Sequence, residues 1–166
     1  MAARAALAMG AVACSRNEAP SAVPSDSPAL DGSLTTTAGV TYSAETLVLE
    51  SFPVQLRTIV TATNTGSEPV RLTSDGCEAF VVAHRAAGRA GPPTWDQRKV
   101  WACTRILKVY DIGPGHSVKL QTQLRATDIL GDSLPSGRYY LSAIPGTDHS
   151  VTVRAGDVQL DRPGSP

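Results

Sequence analysis

Residues 54–63 read Val54-Gln-Leu-Arg-Thr-Ile-Val-Thr-Ala-Thr63, and apolar and polar side chains alternate along them. The apolar face carries Val54, Leu56, Val60 and Ala62. Ile59 is the exception, because it is apolar and falls on the face of Gln55, Arg57, Thr61 and Thr63. A period of two residues is typical of a β-strand that packs one face on a core and exposes the other face to water.

Further strands are predicted on both sides of this stretch. Residues 118–126 and 151–154 repeat the period of two, whereas Phe80-Val-Val-Ala83 is apolar on both faces and predicts a central strand. Turn-forming residues separate these runs. The best helical candidate, residues 126–134, is short enough to form one turn that bridges two strands. Short strands joined by turns predict an all-β fold, an antiparallel β-sandwich in a single domain.

The segment Leu134-Pro-Ser-Gly-Arg-Tyr-Tyr-Leu141 has the pattern of a tyrosine corner. In that motif a tyrosine near the start of a strand returns its hydroxyl to the backbone upstream. We assign the role to Tyr139, because it shares a face with Leu141 and Ala143, and we expect Tyr140 to point outward. Two glycines at predicted turns are expected to be structural: Gly113 and Gly137.

The first fourteen residues have the pattern of an export signal. Arg4 precedes an apolar run, small residues follow, and Cys14 stands at the cleavage point. This arrangement resembles the lipobox of a bacterial lipoprotein; the alternative is a disordered, Ala-rich start. We therefore expect an exported protein of the bacterial cell envelope. Its expected parts are a signal peptide over residues 1–13, a lipidated Cys14 with a flexible tether over residues 14–37, the sandwich over residues 38–161 and a disordered tail over residues 162–166.

Composition limits the kinds of partner. The chain has 166 residues, with 15 basic and 15 acidic side chains and a formal net charge of +0. A nucleic-acid binder would show a basic surplus or stripe, so no nucleic-acid partner is expected. After Cys14 no apolar stretch approaches the length of about 20 residues that spans a bilayer. Membrane attachment is therefore expected through the lipid on Cys14 alone.

Cys77 and Cys103 remain as an even pair once Cys14 carries a lipid. An oxidising compartment allows such a pair to persist as a disulfide. Two unpaired buried thiols are the alternative, and Cys77 could also act as a nucleophile with His84. Neither cysteine stands in a Cys-x-x-Cys or Cys-x-x-His spacing, so no zinc site is expected.

No catalytic constellation stands out in the sequence. The chain has no Gly-x-Ser-x-Gly motif, and its only methionines, Met1 and Met9, lie in the signal, so a copper site would lack its usual axial ligand. His116 and His149 follow turn residues and are expected to be solvated. We therefore expect no enzyme activity, no cofactor and no metal.

The feature most like a binding surface is Gly91-Pro-Pro-Thr-Trp-Asp-Gln-Arg-Lys-Val-Trp101. Tryptophan and arginine are enriched among the residues that dominate protein interfaces. The candidate protein-binding residues are Trp95, Asp96, Arg98 and Trp101, and the segment Ala90–Lys99 is expected to project from the sandwich as a loop. Either tryptophan could instead be a core residue, and for Trp101 that interpretation places the indole near the disulfide.

The order of four segments resembles a known family. They are Asn64-Thr-Gly-Ser-Glu-Pro-Val-Arg-Leu72, Phe80-Val-Val82, Gly113-Pro-Gly-His-Ser117 and Leu130-Gly-Asp-Ser-Leu-Pro-Ser-Gly-Arg-Tyr-Tyr-Leu141. Together they are similar to the bacterial intracellular proteinase inhibitor domain of the BsuPI type. The resemblance implies an immunoglobulin-like sandwich and inhibition of a serine protease, which for an exported chain would be an envelope or secreted protease. The alternative function is a structural or interaction module of the envelope with no protease target.

Overall fold

A computed structural model of the chain describes residues 34–85, 91–104 and 106–162. Within them, two antiparallel sheets pack as a sandwich, as the alternating pattern predicts. One sheet has four strands in the order β1-β2-β3-β7, and the other has five, in the order β5-β4-β8-β9 with β6 also paired to β4. The strands are β1 (Thr35–Thr37), β2 (Val40–Leu49), β3 (Gln55–Asn64), β4 (Val70–His84), β5 (Trp95–Asp96), β6 (Lys108–Ile112), β7 (Ser117–Arg125), β8 (Gly137–Thr147) and β9 (Val153–Leu160).

Strand β3 confirms the period of two. Leu56, Val60 and Ala62 are buried, whereas Ile59 lies on the opposite face and is half-buried. Thr58 takes the remaining inward position and is fully buried, with its hydroxyl 2.8 Å from the hydroxyl of Thr46 on β2. The prediction for Val54 is wrong, since this residue precedes the strand and is exposed.

Strand β4 is central, as its apolar centre predicts. It pairs with β8 over Ala79–His84 and with β5 through Val82 and Ala83. The register with β8 shifts between Ser74 and Ala79, so β4 carries an irregularity over residues 75–78. Bulges of this kind redirect side chains away from the regular ladder. This one contains Cys77 and Glu78, which both belong to the candidate binding surface described below.

The tyrosine corner has the predicted geometry. Tyr139 is fully buried and its hydroxyl donates to the carbonyl oxygen of Pro135 at 2.7 Å. Tyr140 alternates to the other face and is partly exposed. Gly137, which begins β8, has a φ of +144°, and a Cβ there would lie 2.6 Å from the guanidinium of Arg85. That guanidinium lies 5.0 Å from the centre of the Tyr139 ring, so Gly137 leaves room for a cation beside the corner.

One short helix joins the two sheets. Helix α1 covers Ala126–Leu130 between β7 and β8, which confirms a single turn but ends it four residues before the predicted limit at Leu134. The Asp128 carboxylate accepts a hydrogen bond from the backbone N–H of Arg125 at 2.8 Å and so caps the first turn. At the other predicted structural glycine, the Gly113 carbonyl accepts the N–H of His116 at 3.0 Å and closes the β6–β7 turn.

The first strand, β1, lies at Thr35–Thr37, just before the expected start of the domain at residue 38. The last strand, β9, ends at Leu160. The expected signal peptide, Cys14 and the tether up to residue 33 lie outside the described residues, as does the tail from residue 163. Across the described ranges, the structure contains no helix of the length and apolarity that crossing a bilayer requires.

Candidate binding surface

Within the segment from residue 91 to Lys99, Trp95 and Asp96 join the sheet, so the prediction of a projecting loop is wrong for these two residues; residue 90 lies outside the described residues. Trp95 and Asp96 form β5 opposite Ala83 and Val82 of β4. A 3-10 turn follows at Gln97–Lys99. The prediction is wrong because a two-residue strand is too short to show an alternating pattern, so turn-forming residues dominate the sequence signal.

Gln97 fixes this segment to both sheets. Its side chain is buried, and its amide oxygen accepts the N–H of Val81 at 2.8 Å. Its amide nitrogen donates to the Thr122 hydroxyl on β7 at 3.0 Å. A buried amide that satisfies groups on two elements holds them in a defined relation.

Asp96 and Arg98 interact with each other. The Arg98 guanidinium contacts both carboxylate oxygens of Asp96, at 3.0 and 2.7 Å, and the Arg98 backbone N–H donates to the same carboxylate at 3.0 Å. The hydrogen bonds from Arg98 hold the pKa of Asp96 below its usual range, against the opposing effect of burial. Asp96 is buried, so only Arg98 of this pair is presented to solvent.

The two tryptophans have different environments. Trp95 is half-buried and packs against the core, whereas Trp101 is 45% exposed. The interpretation of Trp101 as a core residue is therefore wrong. Both indoles line one cleft of about 310 Å³, together with Val100, Arg125 and Asp128.

Trp101 belongs to a run of exposed apolar side chains that we call the exposed segment, residues 100–104 and 106–109. Its exposed apolar members are Val100, Trp101, Ile106, Leu107 and Val109. Leu107 is 69% exposed and Ile106 is 61% exposed. Exposed apolar side chains concentrated in one segment are a feature of surfaces that meet another molecule.

The exposed segment is fixed to β4 at two adjacent points. Cys103 forms a disulfide with Cys77, with the two Cα atoms 5.3 Å apart. Beside it, Gly76 has a φ of +106°, and a Cβ at that position would lie 1.8 Å from the carbonyl oxygen of Thr104. Only glycine allows this backbone approach. The sulfur of Cys77 is bonded, so this residue is not a free thiolate nucleophile for His84.

A second concavity, which we call the polar cleft, is also lined by Trp101. It has a volume of about 530 Å³, and its lining includes Arg57, Glu78, Gln121 and Gln123. Glu78 organises it, since its carboxylate accepts hydrogen bonds from Lys108 at 2.6 Å, from the Tyr110 hydroxyl at 3.2 Å and from the Gln121 backbone N–H at 3.2 Å. Burial raises the pKa of Glu78, but these donors outweigh burial and the net pKa is lowered.

The histidines are dispersed. His116 is exposed in its turn, as predicted, whereas His149 is half-buried with its Nδ1 2.7 Å from the Tyr42 hydroxyl, so the prediction of a solvated side chain is wrong for His149. Tyr42 is fully buried, and burial raises its pKa to about 12. Within residues 34–85, 91–104 and 106–162, no group of three or more His, Cys, Asp or Glu side chains is arranged to hold a metal ion.

No protein-family model and no curated protein matches the chain. Solved structures that match it include β-glucosidases from Erythrobacter marinus (19% identity, TM-score 0.37), Kluyveromyces marxianus (12%, 0.40) and Listeria innocua (9%, 0.39). The matches cover 75%, 74% and 77% of this chain but only 15%, 14% and 17% of those chains. The chain thus spans about a sixth of their length, and we draw nothing about its activity from them.

Proposed function

We propose that this protein is a non-enzymatic binding protein of the bacterial cell envelope, and that its sandwich binds a protein partner through the exposed segment in the manner of a proteinase inhibitor. The observation that carries the proposal is the exposure of five large apolar side chains on a segment that a disulfide fixes to the central strand β4. The resemblance to BsuPI-type domains supports a serine protease as the partner.

The exposed segment is pre-organised for binding. A protein that binds through a mobile segment loses affinity when the segment is ordered on binding, and a disulfide reduces that loss. The exposed segment has this constraint at Cys103 and a second one where Thr104 meets Gly76. Protease–inhibitor complexes are interfaces of standard size, about 800 Å² on each partner, so we expect residues next to the exposed segment to contribute to the contact as well.

Another group of exposed apolar side chains surrounds the β2–β3 turn and includes Val48 and Phe52, which is 95% exposed. We favour the exposed segment because it combines apolar exposure with a covalent constraint and with Trp101, a residue type enriched in interface hot spots. Phe52 therefore offers a matched control, an exposed aromatic side chain outside the proposed surface.

Export is the second part of the proposal. The pattern around Cys14 supports lipidation, and a disulfide is typical of a protein that works in an oxidising compartment. Cell fractionation tests this part. The wild type should accompany the membrane fraction, and Cys14→Ala should release the chain or block its processing. A wild-type chain that stays cytosolic and full length would contradict it.

The proposed inhibition of a serine protease is tested by screening the oxidised chain against secreted and envelope serine proteases. Saturable inhibition of at least one of them is the expected result. The alternative, an interaction module with no protease target, rests on the same apolar exposure. It would be favoured if no protease is inhibited while cross-linking in the envelope joins residues of the exposed segment to another protein.

A further inference from the structure

The polar cleft differs from the exposed segment in its chemistry. Its described lining contains the amide side chains of Gln97, Gln121 and Gln123 and the hydroxyl of Thr122, with Trp101 at one side. An amide can both donate and accept, as can a hydroxyl. Gln97 and Thr122 bond to each other and Gln123 bonds to Arg57 and Gln55, which leaves the exposed amide of Gln121 for a ligand. A volume of about 530 Å³ lies within the range of small-molecule sites, about 300–1,000 Å³.

The charges in the cleft are already engaged. The Lys108 ammonium lies 2.6 Å from the Glu78 carboxylate. The Arg57 guanidinium donates to the Gln123 amide oxygen at 3.3 and 3.4 Å. Among the described lining residues, these three carry the formal charges, and they sum to +1. This arrangement favours an uncharged, hydrogen-bonding ligand over an ionic one, because an ionic ligand would have to compete with existing partners.

The cleft is also poorly suited to an added peptide strand. Strand β7 ends its sheet, and an added strand would need the backbone N–H groups along that edge. The Glu78 carboxylate occupies one of them, the N–H of Gln121, at 3.2 Å. With this N–H already bonded, an added strand would lose one hydrogen bond of its ladder at Gln121, which favours side chains as the recognition groups.

We propose that the polar cleft binds a neutral saccharide. A sugar ring has an apolar face of C–H groups and a rim of hydroxyls, which are both donors and acceptors. The exposed indole of Trp101 provides a flat surface for the apolar face. The amide of Gln121, exposed on β7, is the group offered to the hydroxyl rim, whereas Gln123 is held by Arg57 and Gln55. Buried Gln97 and the Glu78 network hold the walls of the cleft in place.

This site goes beyond the proposed function, since it needs neither a protease nor any other protein. Trp101 lines both the polar cleft and the smaller cleft with Trp95, so one side chain borders two surfaces. Because the saccharide site needs no protein partner, saccharide binding is measured on the purified full chain alone. The result does not depend on whether the chain inhibits a protease.

The experiment is a calorimetric titration of the oxidised chain with three neutral probes: maltotetraose, cellotetraose and chitotetraose. Saturable binding of at least one probe is expected. Trp101→Ala should weaken it by about tenfold, the upper range of an aromatic stacking contribution. Gln121→Ala, a substitution at an exposed side chain that we expect to leave the fold unchanged, should weaken it by about threefold or more, as expected for one lost hydrogen bond. Phe52→Ala is the matched control and should bind like the wild type.

Two results would overturn the proposal. One is the absence of saturable binding for all three probes at millimolar concentration. The other is binding that persists unchanged in both Trp101→Ala and Gln121→Ala, which would place the saccharide elsewhere. Thermal melts of each variant accompany the titrations, and a variant that melts like the wild type but has lost probe binding supports the assignment.

Discussion

Removal of the Cys77–Cys103 disulfide is expected to lower the free energy of unfolding substantially. The two cysteines are 26 residues apart in the chain, and the chain-entropy relation for a loop of that length gives about 3.5 kcal/mol, with measured values commonly about 2–4 kcal/mol. Both cysteines are only partly buried, so replacement by alanine leaves little cavity and the difference reports mainly the lost constraint.

Urea unfolding of the wild type and of Cys77→Ala/Cys103→Ala measures this loss. Dithiothreitol should bring the wild type close to the double variant and leave the double variant itself unchanged. Agreement of the oxidised wild type and the double variant within about 0.5 kcal/mol would refute the reasoning, because surface substitutions alone produce differences of that size. Reactive thiols mapped to both positions in unreduced, denatured protein would refute it as well.

Three further predictions concern the fold. Tyr139→Phe should destabilise the protein by about 1 kcal/mol in urea melts through the lost hydrogen bond, and Tyr140→Phe should change little; the reverse order would mean that the faces are wrongly assigned. Gly76→Ala should lower the melting temperature strongly, because the new Cβ would meet the Thr104 carbonyl at 1.8 Å; an unchanged melt would contradict that contact. Glu78 has a lowered pKa, so its stabilising effect is present above its ordinary pKa of 4.5 and is lost as the pH falls through the folded value. Glu78→Gln should therefore cost about 1–2 kcal/mol at pH 7 and much less near pH 3, and a pH-independent difference would argue against the carboxylate network.

The sandwich could be predicted because its signals are local and periodic. Apart from Val54 and Ile59, residues 54–63 alternate along strand β3. The segment around Tyr139 combines a turn, a glycine and a tyrosine whose hydroxyl bonds to the backbone upstream. To predict the pairing of Cys77 with Cys103, it was enough to have an even number of cysteines after Cys14 and to expect an oxidising compartment. For the strand and the tyrosine corner, a few neighbouring residues carry the information.

The candidate binding surface could be predicted from the sequence only in part. Trp95 packs on the core and Trp101 is exposed, because a two-residue strand opposite β4 turns the first indole inward and the segment leaves the sheet before the second. No period in the sequence marks so short a strand. The exposure of Ile106 and Leu107 also has no sequence signal, since apolar side chains before a strand usually indicate burial. The Glu78 network joins residues up to 43 positions apart, which only the fold brings together.

The most direct test of binding through the exposed segment is an inhibition constant. It is measured for the oxidised wild type, Trp101→Ala and Phe52→Ala against the secreted serine protease that responds in the screen. If the exposed segment binds the protease, Trp101→Ala should weaken inhibition by about 2 kcal/mol, or about 30-fold, the scale of an interface hot spot. Phe52→Ala should match the wild type, and all three proteins should melt alike. A wild type that inhibits no secreted serine protease would contradict binding through the exposed segment, and so would a Phe52→Ala variant that weakens inhibition as much as Trp101→Ala does.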